Sequence, residues 1–188
     1  KQWKEIEHID YSIYATPEES TTYKFAKSLQ ARFGKIKGIT DKNFVTNSYH
    51  IPVWIEMDAF EKLSREAQLQ KLSPGGAISY IEAPNMTNNI PAIITLLRHM
   101  YDTIMYAEIN TMTSYCHVCG CRNIHMGDDL KFHCPQCGND DFDKMNIAVR
   151  ICGYVSTNPF NEGRAQDIHD RVYHIDSQEI DYGKNSKD

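Results

Sequence analysis

The chain has 188 residues, enough for one substantial domain or for one domain with an appendage. Hydrophobic residues make up 41% of it, so a packed core is expected and wholesale disorder is not. The net charge of −5 argues against a dedicated nucleic-acid binder, which normally carries a basic excess. No apolar run reaches the roughly 18 residues of a membrane span, and the polar start shows no signal peptide. We therefore expect a cytoplasmic protein without a membrane partner, and the first residue, Lys1, suggests a processed product or a fragment.

The first part of the chain is predicted to be a mixed α/β region. Residues 16–34 indicate a helix, because Thr16 suits the N-cap, a proline and two acids follow it, and apolar residues recur at helical spacing before Gly34. Residues 44–55 are rich in β-branched and aromatic side chains and predict an extended strand. Residues 59–72 show an amphipathic helical pattern that ends at a Ser-Pro-Gly-Gly turn.

Two more elements complete this region. Residues 77–82 predict a short buried strand, and Asn88 or Asn89 is placed to cap the helix after it. Beyond about residue 110 the composition shifts to Cys, Gly, Asn and Asp, which indicates a boundary. The apolar face of the last helix is predicted to comprise Ile93, Ile94, Leu97, Met100, Tyr101 and Ile104.

The six cysteines are confined to the interval from Cys116 to Cys152. Four of them form two CxxC pairs separated by residues 120–133. Two residues between cysteines allow both thiolates of a turn to reach one ion at about 2.3 Å, and four thiolates complete a tetrahedral shell. This pattern predicts a structural Zn²⁺ site with no open coordination position. Its ligands are predicted to be Cys116, Cys119, Cys134 and Cys137.

Other interpretations of this cluster remain open at the level of sequence. The pairs could be redox CxxC motifs, although neither follows a strand and opens a helix, and four thiolates also hold iron–sulfur clusters. Between Ser114 and Met145 three basic residues stand against five acidic ones, which is the wrong sign for binding phosphates, so no nucleic-acid partner is expected. The side chains that compete as ligands are Cys121, His117, His125 and His133.

The segment Arg150-Ile151-Cys152-Gly153-Tyr154 follows the cysteine cluster closely. Taken alone, an apolar run interrupted by glycine indicates a bulge or a tight bend. An Arg-x-Cys-Gly-Tyr run shortly after a four-cysteine ribbon, however, resembles the glycyl radical motif of anaerobic (class III) ribonucleoside-triphosphate reductases. The likeness extends upstream to Thr40-Asp41-Lys42 and Thr46-Asn47-Ser48-Tyr49-His50-Ile51-Pro52-Val53, and to Pro74-Gly75-Gly76, Ile78-Ser79-Tyr80-Ile81-Glu82 and Pro84-Asn85.

The resemblance implies a fold as well as a chemistry. The expected fold class is α/β: the C-terminal part of a glycyl-radical α/β barrel, followed by a small four-cysteine zinc ribbon and a glycyl radical loop. The corresponding boundaries are 1–110 for the partial barrel, 111–145 for the ribbon, 146–175 for the radical loop and 176–188 for a polar tail.

The function implied by the resemblance is the reduction of ribonucleotides to deoxyribonucleotides by radical chemistry. Gly153 would store the radical, which an iron–sulfur activating enzyme installs with S-adenosylmethionine. The thiyl cysteine of the family would lie in an N-terminal remainder of the reductase, so this chain alone would not turn over ribonucleoside triphosphates. A homodimer is expected for the full enzyme.

Substrate contacts are predicted on the segment before residue 55. Asn47, Ser48 and His50 are candidates for substrate binding, and the alternative for His50 is a purely structural hydrogen bond. Glu82 and Asn85 are further candidates. Two other functions compete: a spare-part glycyl radical domain, against which the ribbon argues, and a non-catalytic zinc-ribbon interaction module.

Overall fold

The computed structural model describes residues 2–15, 19–46, 48–151, 154–158 and 161–175. Its helices within these ranges are α1 (Gln2–Glu7), α2 (Glu19–Phe33), α3 (Ala59–Gln70), α4 (Ile90–Thr103) and α5 (Glu162–His169). Its strands are β1 (Ser79–Ala83), β2 (Ala107–Thr111), β3 (Tyr115–Cys116), β4 (His125–Met126), β5 (Phe132–His133), β6 (Met145–Asn146), β7 (Val149–Ile151) and β8 (Tyr154–Ser156). None of the described helices has the length and apolar character that a membrane span requires.

The first region is an α/β layer built around two parallel strands. β1 and β2 pair in register from Ser79 with Ala107 to Ala83 with Thr111, and α4 connects them. Such a crossover is what two parallel neighbours in one sheet require, so the predicted α/β class is confirmed. α3 packs against α4 and also contacts β1. The most deeply buried apolar side chains of this layer are Ala59, Leu63, Ile81, Ala83, Ala92 and Leu96.

The second region is a ribbon of short antiparallel pairs. β3 pairs with β6, β4 pairs with β5, and the hairpin β7–β8 follows with Val149 opposite Ser156 and Ile151 opposite Tyr154. Helix α5 lies against this region, and its Ala165 and Ile168 share one apolar core with the ribbon and the hairpin. The ribbon and hairpin contribute Cys116, Ile124, Met126, Phe132, Cys134, Met145, Ile147, Val149 and Ile151 to that core.

The strand predicted over residues 44–55 is wrong for the part of it that the structure describes. These residues form turns and loops instead. Their backbone N–H groups go to scattered acceptors rather than to a paired strand: that of Ile51 donates to Glu66 Oε1 at 2.9 Å, and that of Ile55 to the carbonyl of Pro52 at 3.0 Å. A buried acceptor on α3 thus replaces the neighbouring strand that the β-rich composition suggested.

The three helices that the sequence predicts correspond to α2, α3 and α4, whereas α1 and α5 were not predicted. α3 begins after Asp58, whose carboxylate accepts from two backbone N–H groups of the first turn, and α4 begins after Asn89. α2 ends before Gly34, whose φ is +73°. Residues 77–82 were expected as a strand, and β1 occupies Ser79–Ala83. The predicted cap Thr16 lies outside the described residues.

The predicted apolar face of α4 is only partly correct. Met100 and Ile104 are buried as expected, but Leu97 is half exposed and Tyr101 is 90% exposed. Apolar residues occur around most of this helix, so periodicity alone does not select one face. Packing against α3 and β1 selects the face of Leu96.

Candidate functional site

Four cysteines converge at one end of the ribbon. The ligand atoms of Cys116, Cys119, Cys134 and Cys137 all lie within 4.8 Å of one another. Cys116 Sγ is 3.7 Å from Cys137 Sγ, and Cys119 Sγ is 3.5 Å from Cys134 Sγ. A tetrahedral shell with metal–sulfur bonds of about 2.3 Å places its sulfurs about 3.8 Å apart. The spacing of the four sulfurs therefore fits one metal ion of that size.

Local backbone geometry explains why each CxxC pair closes on itself. The N–H of Gly120 donates to the carbonyl of Cys116 at 2.8 Å, and the N–H of Gly138 donates to that of Cys134 at 2.9 Å. These glycines have φ values of +74° and +70°, a region that residues with a Cβ rarely adopt. Glycine after the second cysteine thus permits the return of the chain in both turns.

The thiols of this group differ in pKa. Burial disfavours the Cys134 thiolate, but backbone N–H groups of Cys137 and Gln136 and the neighbouring thiol outweigh it and lower the Cys134 pKa to about 6. At Cys119 a backbone N–H of Cys121 favours the thiolate, yet burial and the Cys134 sulfur raise its pKa to about 12. One sulfur of this pair therefore carries the proton and the other the charge. A bound divalent cation would displace that proton.

The competing ligands stand apart from the four-sulfur group. The thiol sulfur of Cys121 accepts from the backbone N–H of Asn123 at 3.4 Å. His133 Nε2 lies 2.8 Å from an Asp129 carboxylate oxygen, and His117 stacks edge-on against Tyr115. Within the described residues, the four predicted cysteines form the group that can hold a metal.

The predicted radical glycine falls next to this group in the chain. Gly153 and Cys152 connect β7 to β8 in the sequence and lie outside the described residues. On β7, Val149 and Ile151 are buried in the ribbon core, while Arg150 extends to the opposite side because successive side chains of a strand alternate. Strand β7, which precedes Gly153 in the sequence, therefore packs on the ribbon.

The other side of β7 faces the α/β layer. The Nη2 atom of Arg150 lies 2.9 Å from Glu108 Oε2 on β2. The Arg150 guanidinium lies 5.4 Å from the centre of the Tyr80 ring on β1. Arg171 then donates from NH1 to the Arg150 carbonyl at 2.7 Å. The hairpin is thus joined to both regions.

A cavity of about 70 Å³ lies where these elements meet. Its lining combines apolar side chains with several charged ones. The polar lining residues are His50, Lys62, Tyr80, Glu82, Arg150, Arg164, Asp167, Arg171 and His174.

One carboxylate organises the wall of this cavity next to α3. Glu66 accepts from Lys62 Nζ at 2.6 Å, and its other oxygen lies 3.5 Å from His50 Nδ1. Burial raises the pKa of Glu66, but the His50 hydrogen bond and the Lys62 charge outweigh it and lower that pKa from 4.5 to about 2. Glu66 is therefore an anion that holds the 48–51 turn against α3.

The opposite wall holds two groups, Glu82 and His174, whose charged forms are disfavoured by burial. Burial raises the pKa of Glu82, with Arg171 and Asn110 opposing the effect. His174 accepts from the Glu82 backbone N–H through Nδ1 at 2.9 Å, so its proton lies on Nε2, which has no hydrogen-bond partner among the described residues. Burial and the charge of Lys62 lower the pKa of His174 to about 4. Neutral His174 thus presents a buried N–H donor at the cavity.

The structure brings together only some of the predicted substrate residues. His50 lines the cavity, Ser48 lies in an exposed turn with φ +51°, and Asn47 lies outside the described residues. Glu82 also lines the cavity, whereas Asn85 is exposed.

Several polar residues of the cavity were missed from the sequence. Lys62 and Glu66 carry a usable signal, because they lie on the same face of α3 as Ala59 and Leu63. A charged pair inside an apolar stripe predicts a buried ion pair. No comparable sequence pattern marks Arg164, Arg171 and His174, because only the tertiary structure brings them close to β1.

Comparison with known proteins agrees with this architecture. The family model for anaerobic ribonucleoside-triphosphate reductase matches residues 1–174. The chain is 34% identical over 182 residues to the anaerobic ribonucleoside-triphosphate reductase of Escherichia coli (strain K12), covering 95% of this chain and 26% of that protein. It is 36% identical over 178 residues to the reductase of that name from Enterobacteria phage T4, covering 93% of this chain and 29% of that protein.

Solved structures show the same fold. An anaerobic ribonucleotide reductase superimposes with a TM-score of 0.66 at 20% identity, covering 92% of this chain and 26% of that one. The crystal structure of the anaerobic ribonucleotide reductase from Thermotoga maritima gives a TM-score of 0.56 at 20% identity, with 89% and 25% covered. The chain thus spans about a quarter of the length of the relatives that it matches. A family match over almost all described residues is decisive: the chain belongs to the anaerobic ribonucleoside-triphosphate reductase family.

Proposed function

We propose that this chain is the glycyl-radical-bearing C-terminal part of an anaerobic ribonucleoside-triphosphate reductase. The observation that carries the proposal is the family match over residues 1–174, in which a four-sulfur group precedes a hairpin whose strands flank Gly153. In the full enzyme the α/β layer would be part of a barrel, and an N-terminal remainder would supply the thiyl cysteine. Boundaries at residues 110, 145 and 175 separate barrel, ribbon, radical loop and tail.

The metal of the four-sulfur group is proposed to be structural zinc. Four thiolates fill a tetrahedral shell, so no position is open for substrate or water. Zinc supplies rigidity rather than reactivity in such a site. Cys116 and Cys134 anchor the two turns in the ribbon core, and that core also contains Val149 and Ile151 of the hairpin. The ribbon would therefore hold the strands around Gly153 in a fixed place.

Glycine suits radical storage for a chemical reason. An unpaired electron on its α-carbon is delocalised over the adjacent amide nitrogen and carbonyl, and a side chain would hinder the planar arrangement. The activating enzyme, with its iron–sulfur cluster and S-adenosylmethionine, is the proposed partner that removes the α-hydrogen. Asn47, Ser48 and His50 are proposed to contact the ribonucleoside triphosphate. A homodimer and a cytoplasmic location are proposed for the full enzyme.

The radical itself provides the test. The chain is reconstituted with zinc under anaerobic conditions and treated with a cognate activating enzyme, S-adenosylmethionine and a reductant. A carbon-centred doublet in the electron paramagnetic resonance spectrum is expected, and it should be absent from Gly153→Ala. Gly34→Ala is the matched control, because it makes the same chemical change at the end of α2. A doublet that persists in Gly153→Ala would contradict the assignment.

Exposure to air gives an independent readout. Oxygen is expected to cleave the activated chain at Gly153 and to release residues 154–188, which mass spectrometry detects. An activated chain that stays intact in air argues against radical storage at this glycine.

A non-catalytic zinc-ribbon interaction module is the second candidate, favoured by the four-sulfur group taken alone. Both functions predict about one zinc per chain, so metal analysis does not separate them. Of these two functions, the reductase fragment yields the doublet and the interaction module does not. The spare-part glycyl radical domain also yields one, but nothing in that function requires the cysteine ribbon.

A further inference from the structure

The hairpin β7–β8 is too small to hold its own position. It consists of two strands of three residues each. An isolated two-stranded hairpin is marginally stable at best in water. The burial of Val149 and Ile151 in the ribbon core fixes one side of β7. The contacts on its other side decide where the hairpin lies relative to the α/β layer.

Arg171 connects the hairpin to the α/β layer. Its NH1 donates to the backbone carbonyl of Arg150 at 2.7 Å. The Nη2 atom of Arg171 lies 3.2 Å from Asp167 Oδ2 on α5, and its Nη1 atom lies 3.6 Å from Glu82 Oε1 on β1. One guanidinium thus contacts the hairpin backbone, α5 and β1.

The acidic partners of Arg171 are themselves held in place. Asp167 Oδ2 accepts from Arg164 NH1 at 2.9 Å, and Arg164 also donates to the Thr22 hydroxyl at 2.8 Å. Glu82 Oε2 accepts from the Asn110 side-chain amide at 2.6 Å. The side chain of Arg171 is 13% exposed, so solvent screens these contacts little. Because its partners are anchored, Arg171 cannot follow the hairpin if the hairpin shifts.

We propose that Arg171 is a positioning residue that fixes the strands of the β7–β8 hairpin, which flank Gly153 in the sequence, relative to β1. The role of Gly153 rests on the function proposed above. Arg171 acts through the Arg150 carbonyl, three residues before Gly153 in the sequence. Hydrogen bonds from a charged donor are about twice as strong as neutral ones, so losing this one should release the hairpin.

Hydrogen–deuterium exchange on the zinc-loaded chain tests the positioning directly. In Arg171→Gln the amides of residues 149–151 and 154–156 should exchange on the order of tenfold faster, while those of α3 and the cysteine turns keep their rates. Arg171→Lys should recover most of the protection, because an ammonium group can still donate to the Arg150 carbonyl. Arg65→Gln, which removes an exposed arginine from α3, should leave the hairpin unchanged.

Two outcomes of the exchange experiment would overturn the proposal. One is an unchanged exchange rate in the hairpin of Arg171→Gln. The other is a uniform acceleration over the whole chain, which would mean that Arg171 supports the fold in general. Should Arg171→Gln fail to fold, Arg171→Lys is compared with wild type. A smaller acceleration confined to the hairpin then supports the proposal, and equal hairpin rates or a uniform acceleration overturn it.

The decay rate of the radical signal provides a second measurement, which a general contribution of Arg171 to folding would not change. After activation, the doublet of Arg171→Gln should decay on the order of tenfold faster than that of wild type under anaerobic conditions, because an opened hairpin exposes the radical to quenching by solvent and thiols. Arg171→Lys should be intermediate, and Arg65→Gln should match wild type. Equal decay in Arg171→Gln and wild type overturns the proposal. A wild-type chain without a doublet contradicts the proposed function instead, and the exchange rates still decide whether Arg171 positions the hairpin.

Discussion

The α/β layer and the ribbon both bury apolar side chains, but they differ in what surrounds them. In the layer, two strands of five residues pair over their whole length, and α3 and α4, of 12 and 14 residues, cover them. In the ribbon, β3, β4, β5 and β6 have two residues each. Two of the most deeply buried side chains of the ribbon are Cys116 and Cys134, which belong to the metal group.

The two regions therefore differ in what stabilises them. Burial of side chains such as Leu63 and Leu96 provides a hydrophobic driving force for the layer without any ligand. The ribbon has less regular structure, and the proposed metal ion would supply the missing cross-links. The hairpin around Gly153 shares its core with the ribbon, and its position should therefore depend on the metal.

Removal of one metal ligand should have the largest effect. In Cys134→Ser, zinc content measured by mass spectrometry should fall from about one per chain to near zero, because structural zinc sites have apparent binding free energies of about 10–16 kcal/mol and need all four thiolates. Hydrogen exchange should then accelerate in the ribbon and the hairpin but not in α3 and α4. Cys121→Ser, outside the four-sulfur group, should keep the metal. Retention of one zinc by Cys134→Ser would refute the proposed ligand set.

A cavity in the layer should destabilise it whether or not the metal is present. Leu63 is fully buried, and Leu63→Ala should lower the free energy of unfolding of the layer by about 3 kcal/mol in urea titrations. The loss should be the same with zinc and with a chelator, because α3 does not contact the ribbon strongly. Leu69→Ala on the same helix, where the side chain is 41% exposed, is the matched control and should cost much less. A zinc-dependent loss in Leu63→Ala would show that the two cores are coupled.

The junction of the two regions should make stability depend on pH. The pKa of His174 is about 4 in the folded chain against an ordinary value of 6.5. The unfolded chain therefore takes up the proton first as pH falls, so the stabilisation is complete above pH 6.5 and is lost between 6.5 and 4. The loss amounts to up to about 3 kcal/mol.

The variant His174→Asn keeps an oxygen acceptor for the Glu82 N–H but cannot titrate. Its free energy of unfolding, measured in urea at a series of pH values, should fall less steeply than that of wild type in this window. His8→Asn, in an exposed position, should behave as wild type does. Parallel curves for His174→Asn and wild type would exclude His174 as the source of the pH dependence.

The smallest effect compares the same backbone strain at the end of α2 and in the ribbon. Gly34 and Gly120 have φ values of +73° and +74°, and a Cβ at either position meets no described atom within 4 Å. Alanine at each should therefore cost only the strain of a left-handed residue, about 1–2 kcal/mol. In Gly34→Ala this cost should appear as a lower free energy of unfolding in urea.

In Gly120→Ala the same cost should appear as weaker metal binding, by about tenfold in competition with a chelator. The reason is that the strained turn lies within the first CxxC pair. An unchanged zinc affinity in Gly120→Ala would mean that the turn relaxes without disturbing the sulfurs.

Much of this molecule was predictable because its signals are local. The caps Asp58 and Asn89, the end of α2 at Gly34 and the four-cysteine group follow from residue types at fixed spacings. The prediction for residues 44–55 failed because β-branched composition says only that a segment suits an extended backbone. Whether a strand forms depends on a neighbour, and here the buried Glu66 carboxylate took the N–H of Ile51.

The sequence by itself determined the four-sulfur group, the α/β class and the family likeness, since each depends on short motifs in a fixed order. Only the tertiary structure decided which face of α4 is buried, which charges surround the cavity, and that Arg171 reaches the Arg150 carbonyl. The physical reason is the distance along the chain between the partners. Glu82, Arg150 and Arg171 lie on different elements, and an ion pair between elements leaves no periodic trace in the sequence.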